Sequence, residues 1–417
     1  MTTPNDLAEL REVNAADVYK AGRLAGHLRR EHDDVVFSYS EPYLADPTTP
    51  NVAFTLPKRA EGFRATAGSV PAFFAGLLPE GLRLTAITAA TRTSEDDHFS
   101  ILLAVGADTI GDVQAIPSGA SHIDPPPMYN QTDTTAANFT DLFNQATSSN
   151  PDDLDRTALP GIQIKVSAQM ISTPVSTAQG PAILKLNPPG YPCLVENENF
   201  FLDMAHACGI RVPDHQIATD GHGRTALFIS RFDRVLEDGR LHRFAQEDAC
   251  QILGRYPAAK YRITLQEAIK GLAMAVTEGR GSFALAALQM LEVAAFSYLI
   301  GNGDLHGKNL SIRQNPAGTW EVTPAYDLLS TQPYLSWRDP MALTLYGRNA
   351  KLSYRWWTDA ASRLGVPKRA LDRSLARITD AAESWTSRIS EIGFDEKTTT
   401  RLETLVTKRR QELLADK

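Results

Sequence analysis

The sequence predicts an α+β protein in which a small strand-rich lobe precedes a larger helical lobe, with a further α+β subdomain in front of both. Three observations predict it. From Ala15 to about Pro117 the chain carries short apolar or alternating runs broken by Gly, Asp and Pro, the pattern of strands joined by turns. Residues 118–155 are rich in Ser, Thr, Asn, Asp and Pro, including DPPP at 124–127 and SSNPDD at 148–153, which is the composition of a linker. Beyond Gln246 the pattern is mostly helical, except for short segments around 302–327.

Taken in order, residues 1–117 form the first subdomain, with strand signals in VYKAGRLAGHLRR, VVFSYS and NVAFTLP. Residues 118–155 are the linker, relieved only by a weak helical patch near ANFTDLFNQA. The strand-rich lobe, 156–245, opens with the Gly-containing turn ALPGIQIK at 158–165 and continues with the apolar strand AILKL at 182–186. A helix is expected from Glu196 to Cys208, stopped by Gly209, and then the strand pair HQIA and TALFISRF. Residues 246–417 make the helical lobe. Its stretch at 283–300, FALAALQMLEVAAFSYLI, comes nearest to a membrane span, but Gln289 and Glu292 sit mid-segment, where hydrocarbon disfavours them. A buried helix after Gly281-Ser282 is the expectation, with no membrane partner. The sequence has no internal repeats.

At 417 residues, with 43% hydrophobic and 22% charged residues, the chain can bury a large core in two or three domains. A formal net charge of -7 argues against binding nucleic acid by bulk charge, because phosphate neutralisation needs clustered Lys and Arg. Any DNA contact is expected through a partner. Cys193, Cys208 and Cys250 lie far apart without CxxC spacing, so they signal neither a zinc site nor a disulfide framework. The first residues, MTTPNDLAEL, lack the basic start and apolar stretch of a secretory signal, and a cytoplasmic location is the expectation.

The chemistry is concentrated in IGNGDLHGKNLSI at 300–312 and VTPAYDLLS at 322–330. Phosphoryl transfer needs a carboxylate to orient the attacking hydroxyl and oxygen ligands for metal ions that neutralise developing charge. Asp304 and Asn309 stand in the D-x-x-x-x-N spacing of a protein-kinase catalytic loop, and Asp327 follows where a second metal ligand belongs. A plain turn at Gly301–Asp304 and a helix cap at Asp327 would each account for one piece. They leave Lys308-Asn309 leading into a strand, and a second acidic turn after the next strand, without a reason. Lys185, alone in an apolar strand, is the candidate phosphate cation. Glu198 on the following helix is its candidate partner, with Glu196 two residues away. The turn at 158–165, with Lys165, could cradle phosphate through its backbone N–H groups. There is no G-x-x-x-x-G-K-[ST], HExxH or GxSxG, which sets aside P-loop NTPases and the commoner metalloprotease and hydrolase readings. A small strand-rich lobe followed by a larger helical one, which carries this loop, is the order of a protein-kinase-like bilobal fold with ATP between the lobes.

These residues resemble the HipA family of serine/threonine kinase toxins. The resemblance runs through FFAGLLPEG at 73–81, ILLAVGADTIGDVQ at 101–114, ALPGIQIK, ILKL, VENENFF at 195–201, GIRVPDHQI at 209–217, ISRFDR at 229–234, Gln246-Glu247-Asp248, NGDLHGKNLS and YDLLS. It implies that Asp304 is the catalytic residue and that His306, Gly307, Lys308, Asn309, Tyr326 and Asp327 contact nucleotide, with Asn309 and Asp327 on magnesium. It implies that Lys185 is the phosphate lysine and that Pro160, Gly161, Ile162, Gln163, Ile164 and Lys165 form the phosphate loop. Ser230, Arg231 and Phe232 would be the hinge whose backbone meets adenine, with Asp233 an acidic neighbour. The implied cofactors are ATP and Mg2+. The implied partners are a HipB-like helix-turn-helix antitoxin and a protein substrate such as an aminoacyl-tRNA synthetase or another translation factor. Family members often carry Ser at the first position of the phosphate loop, where autophosphorylation switches the kinase off. This sequence has Ala158 there, with Thr157 beside it. A small-molecule kinase of the aminoglycoside or choline kinase type shares the loop pattern but lacks a segment like 15–117. A pseudokinase that only binds an antitoxin would not need Lys185, Asp304, Asn309 and Asp327 together.

Overall fold

The computed structural model describes residues 7–123, 138–146, 171–177, 180–188 and 190–414. The first subdomain is built on the antiparallel strands β1 (Ala15–Lys20), β2 (Arg23–Glu31), β3 (Asp34–Tyr39), β4 (Phe63–Ala65) and β5 (Val113–Pro117), in the order β4-β3-β2-β1-β5. β1 and β3 bury alternate residues, the period-two pattern of a sheet with one face on a core. Ala21 and Gly22 close the β1–β2 hairpin, where Lys20 pairs with Arg23, and both have positive φ. That geometry matches the right-handed twist of the strands and suits glycine. Four helices pack here: α1 (Glu41–Ala45), α2 (Ala72–Gly76), α3 (Gly81–Thr91) and α4 (His98–Val105). They share a core with the sheet that includes Val18, Leu28, Phe37, Phe74, Ile87, Phe99 and Leu102.

The next lobe is a four-stranded antiparallel sheet of β6 (Ile171–Thr177), β7 (Gly180–Leu186), β8 (His215–Thr219) and β9 (Thr225–Ser230), ordered β6-β7-β9-β8. Within the stretch read as linker, residues 139–146 form a helix, α5 (Phe139–Ala146), that belongs to this lobe. Phe139 is buried with Val175, Leu184 and Phe228, and its backbone N–H donates to Asp220 Oδ2 at 2.8 Å. The linker reading of 118–155 is corrected to that extent: Phe139, Leu142 and Phe143 stand at i, i+3 and i+4, and a single apolar stripe outweighs the polar composition around it. Helix α6 (Leu194–Ala207) packs against β8 and β9. The hairpin β10 (Arg234–Glu237) and β11 (Arg240–Arg243) follows.

The helical lobe holds α7 (Ala249–Ile252), α8 (Leu265–Glu278), α9 (Phe283–Ile300), α10 (Tyr354–Arg363), α11 (Lys368–Thr386) and α12 (Glu396–Leu413). A small sheet, β12 (Gln246–Asp248), β13 (Ser311–Gln314) and β14 (Trp320–Val322), crosses it in the order β12-β13-β14. Helix α9 is long and apolar enough to cross a membrane by composition, yet 67% of it is buried inside the protein, against α8, α11 and α12. It ends at Gly301, whose φ of +79° makes a left-handed cap. The stop matters because the segment immediately beyond it carries the catalytic-loop pattern. A Cβ at Gly301 would also meet the Gln332 side chain at 2.7 Å, so both backbone and space call for glycine.

Candidate active site

Strand β7 brings Lys185 to the lobe interface with only 5% of its surface exposed. A buried ammonium is unfavourable unless paired, and it is paired twice. Lys185 Nζ lies 2.7 and 2.9 Å from the two carboxylate oxygens of Glu198, on the fully buried face of α6. It also donates to Asp327 Oδ1. Burial works against its charge, but Asp327 and Glu198 outweigh it and hold the lysine above its ordinary pKa. Glu196, the competing carboxylate, instead accepts from Asn187 Nδ2 at 3.0 Å.

From the Gly301 cap the chain enters a loop organised by Asn302. Its Oδ1 accepts from the backbone N–H of Asp304 at 2.9 Å, and its Nδ2 donates to the Asp327 carbonyl at 3.1 Å. One amide therefore ties the Asp304 loop to the Asp327 turn. Asp327 itself has φ +54°, a left-handed conformation uncommon outside glycine. Asn309 Nδ2 donates to Asp327 Oδ2 at 3.3 Å. Asp304 is 1% exposed, and Tyr261 Oη donates to its Oδ1 at 2.6 Å.

Lys185, Asn309 and Asp327 line one cleft, the kind of concave site, apolar with a few convergent polar groups, that takes a small ligand. Ile183, Ile229, Phe232 and Tyr326 give it apolar walls, and Leu77 and Ile110 of the first subdomain join them. His306, also in the lining, is pushed well below its ordinary pKa by burial and by the Lys260 and Lys308 charges, so it is a neutral imidazole at neutral pH. Lys308 is buried, donates to the Gly76 carbonyl at 3.0 Å and sits 2.9 Å from Glu80 Oε1. Glu80 also accepts from Lys260. Burial raises the Glu80 pKa, and the two lysines more than reverse that, holding it at about 2.

Residues 16–116 match the HipA N-terminal domain and residues 157–386 the HipA-like C-terminal domain. The Sinorhizobium fredii protein named "Putative kinase Y4mE" is 31% identical over 393 residues, covering 91% of this chain and 92% of its own. The chain belongs to the HipA family. The serine/threonine-protein kinase toxin HipA of Shewanella oneidensis is 27% identical over 339 residues, 75% of each chain. The solved complex of Shewanella oneidensis MR-1 HipA with HipB and operator DNA matches with a TM-score of 0.72 at 21% identity, over 95% of this chain and 96% of that one. This likeness shows that the chain has the α+β HipA fold.

In this HipA-family cleft the structure brings Lys185, Glu198, Asn309 and Asp327 into direct contact, with Asp304 tied to them through Asn302. Ser230, Arg231, Phe232, His306, Lys308 and Tyr326 line the same cleft. Tyr326 Oη donates to the Lys308 carbonyl at 2.7 Å. Gly307 is buried and its backbone N–H donates to the Lys260 carbonyl at 3.0 Å. Along the expected hinge, the Ser230 and Arg231 N–H groups donate to the Asp214 and Pro181 carbonyls, and the Phe232 carbonyl accepts from Arg313. The Arg231 and Asp233 side chains form an ion pair at 2.8 Å. Residues 157–165, with Thr157, Ala158, Pro160, Gly161, Ile162, Gln163, Ile164 and Lys165, lie outside the described residues.

Sequence reasoning missed Glu80, Lys260, Tyr261 and Asn302. Glu80 was in view within FFAGLLPEG but without a role, because Lys260 is 180 positions away. Asn302 stood inside the quoted loop, where an Asx side chain that bonds the backbone two residues on was the available signal. As for metal, Asp327 offers a carboxylate with 31% of its side chain exposed, beside the amide of Asn309. No cluster of three or more His, Cys, Asp or Glu able to hold a metal occurs among the described residues. Two hard oxygen donors without an all-protein cage fit magnesium, which keeps several waters and shares its sites with phosphate.

Proposed function

We propose that this chain is an ATP-dependent serine/threonine protein kinase acting as the toxin of a toxin–antitoxin pair. The observation that carries the reading is Lys185 held between Glu198 and Asp327 in a cleft that Asn309 also lines, with Asp304 tied to the Asp327 turn through Asn302. Lys185 is the cation for the α- and β-phosphates, and Glu198 keeps it extended into the cleft. Asp327 and the Asn309 carbonyl oxygen would hold Mg2+, which neutralises charge on the phosphates when bound. Asp304 accepts the proton of the attacking hydroxyl. The apolar walls at Ile183, Ile229 and Phe232 take the adenine. The neutral His306 beside the loop can donate or accept one hydrogen bond to the nucleotide without adding charge.

The neighbour solved with HipB and operator DNA supports a HipB-like helix-turn-helix antitoxin as partner, and we propose with it a protein substrate such as an aminoacyl-tRNA synthetase and a cytoplasmic setting. With a net charge of -7 this chain reaches DNA through that basic partner. Incubation of the chain with radiolabelled ATP and a bacterial lysate tests the activity: a labelled protein band is expected. Phosphoamino-acid analysis of that band should give phosphoserine or phosphothreonine. Asp304→Asn should lose roughly 100- to 10,000-fold of the transfer, the usual worth of a general base, with an unchanged melting temperature. An Asp304→Asn protein retaining more than half of the activity would sink the assignment.

A further inference from the structure

We propose that Tyr261 is a positioning residue whose hydroxyl fixes the Asp304 carboxylate for the phosphoryl-transfer step. The inference rests on the kinase reading above and adds to it a residue that the catalytic-loop pattern does not contain.

The geometry is that of a built support. Tyr261 Oη donates to Asp304 Oδ1 at 2.6 Å, a short charge-assisted hydrogen bond to a nearly fully buried carboxylate. The tyrosine ring stands edge-on to His306 with centroids 5.0 Å apart, so the ring cannot swing away without unpacking the loop. The segment carrying Tyr261 is itself pinned. The carbonyl of Lys260 accepts from the Gly307 N–H at 3.0 Å, the ammonium of Lys260 meets Glu80, and Leu265 N–H donates to the Thr344 carbonyl at 2.9 Å. Thr264 then begins α8 with a capping box to Glu267. Burial and the neighbouring Asp304 charge both push the Tyr261 phenol well above its ordinary pKa; it stays protonated and therefore a donor throughout the working range of the site.

A carboxylate with one oxygen held this way loses its freedom to rotate about Cβ–Cγ. The angle at which it meets an acceptor hydroxyl is then set before the substrate arrives, and such angles matter because misplacement by about 1 Å can cost 100-fold in rate. Lys185, Asp327 and the apolar walls do not depend on the phenol, so nucleotide binding should not feel its loss.

Tyr261→Phe keeps the ring and its packing on His306 and deletes only the hydroxyl. With radiolabelled ATP and lysate protein as acceptor, it should lower apparent kcat by about 10- to 100-fold. KM for ATP, and the Kd for a fluorescent ATP analogue, should stay within about twofold of wild type, since ground-state binding is untouched. In an Asp304→Asn background the same change should cost nothing further, because a positioning residue has nothing left to position. An unchanged kcat in Tyr261→Phe overturns the proposal and leaves the kinase reading standing. A loss of ATP affinity or of cooperative unfolding that parallels the loss of rate overturns it too, by assigning Tyr261 to structure, and so does a full further loss in the Asp304→Asn background. If the wild-type chain transfers no phosphate at all, the kinase reading fails and this proposal falls with it.

Discussion

Glu247 shows how far a single side chain can depart from its solution behaviour inside this fold. Burial pushes its carboxyl up to about 8; the Phe54 N–H, which it accepts at 3.0 Å, and Lys20 pull the other way, while Asp112 and Asp248 add repulsion. Its folded-state pKa lies above the unfolded value, so the folded protein binds the extra proton and stability falls as pH rises between about 4.5 and 8. Glu247→Gln keeps an acceptor for Phe54 and cannot ionise. Its melting temperature relative to wild type should therefore climb as pH goes from about 5 to about 8, and parallel pH profiles for the two proteins would contradict this. Nothing in Gln246-Glu247-Asp248 announces the environment: these three polar letters read as surface, yet all three are buried as β12. Lys185, by contrast, was legible, because a charge inside an apolar strand asks for partners. Which glutamate answers it depended on helix phase that sequence left open, and the structure settles on Glu198.

At the scale of elements, the junction of α2 and α3 does something its local role would not suggest. Glu80 occupies the N-cap of α3 without capping it, and its carboxylate goes to Lys260 and Lys308, which are 3% and 6% exposed. The start of a helix in the first subdomain thereby braces the loop that carries Asp304. Glu80→Gln would take the ion-pair carboxylate away from two buried ammonium groups, leaving Lys308 only the Asp248 charge, and breaking a buried pair in this way typically costs about 3–5 kcal/mol. A clear fall in urea midpoint is expected, together with reduced phosphoryl transfer. Glu80 is held at about 2 in the folded state, below its unfolded value, so its contribution is complete above about pH 4.5 and is lost as pH falls toward 2. The difference in stability between wild type and Glu80→Gln should therefore shrink on acidification; a difference that grows would refute the assignment. Elements with strong apolar periodicity, such as α9, were legible from sequence. The helix α5 showed in the sequence only as a weak patch, without its place in the strand-rich lobe, and the Glu80 contact joins segments too distant for any pattern to connect.

Over the whole molecule, the first subdomain and the kinase-like part are joined by polar groups rather than by a separable apolar seam. Gly111 N–H donates to Asp233 Oδ2 at 3.0 Å, Arg231 and Arg234 donate to the Thr109 carbonyl, and Arg234 and Arg243 pair with Asp108. Burial raises the Asp108 pKa, and the arginines overcome it and hold it at about 2. Gln251 Nε2 donates to the Phe73 carbonyl at 3.0 Å, and Phe54 packs edge-on to Trp320 at 4.8 Å. Leu77 and Ile110 line the cleft from the same side. A chain beginning at residue 118 would keep every residue of the catalytic-loop pattern but lose Asp108 and Glu80, taking from the buried Lys260 its ion-pair partner and from the buried Arg234 and Lys308 one of their carboxylates. Uncompensated buried charge of that kind is among the few causes of multi-kcal/mol destabilisation. The truncated chain is therefore expected to lack a cooperative thermal transition and to bind a fluorescent ATP analogue far more weakly than the full chain. Adding the separately expressed segment 1–117 should restore binding only if the two associate. Should the truncated chain instead melt cooperatively and bind the analogue with the affinity of the full chain, the first subdomain would be an appendage, and its residues would have no part in building the cleft.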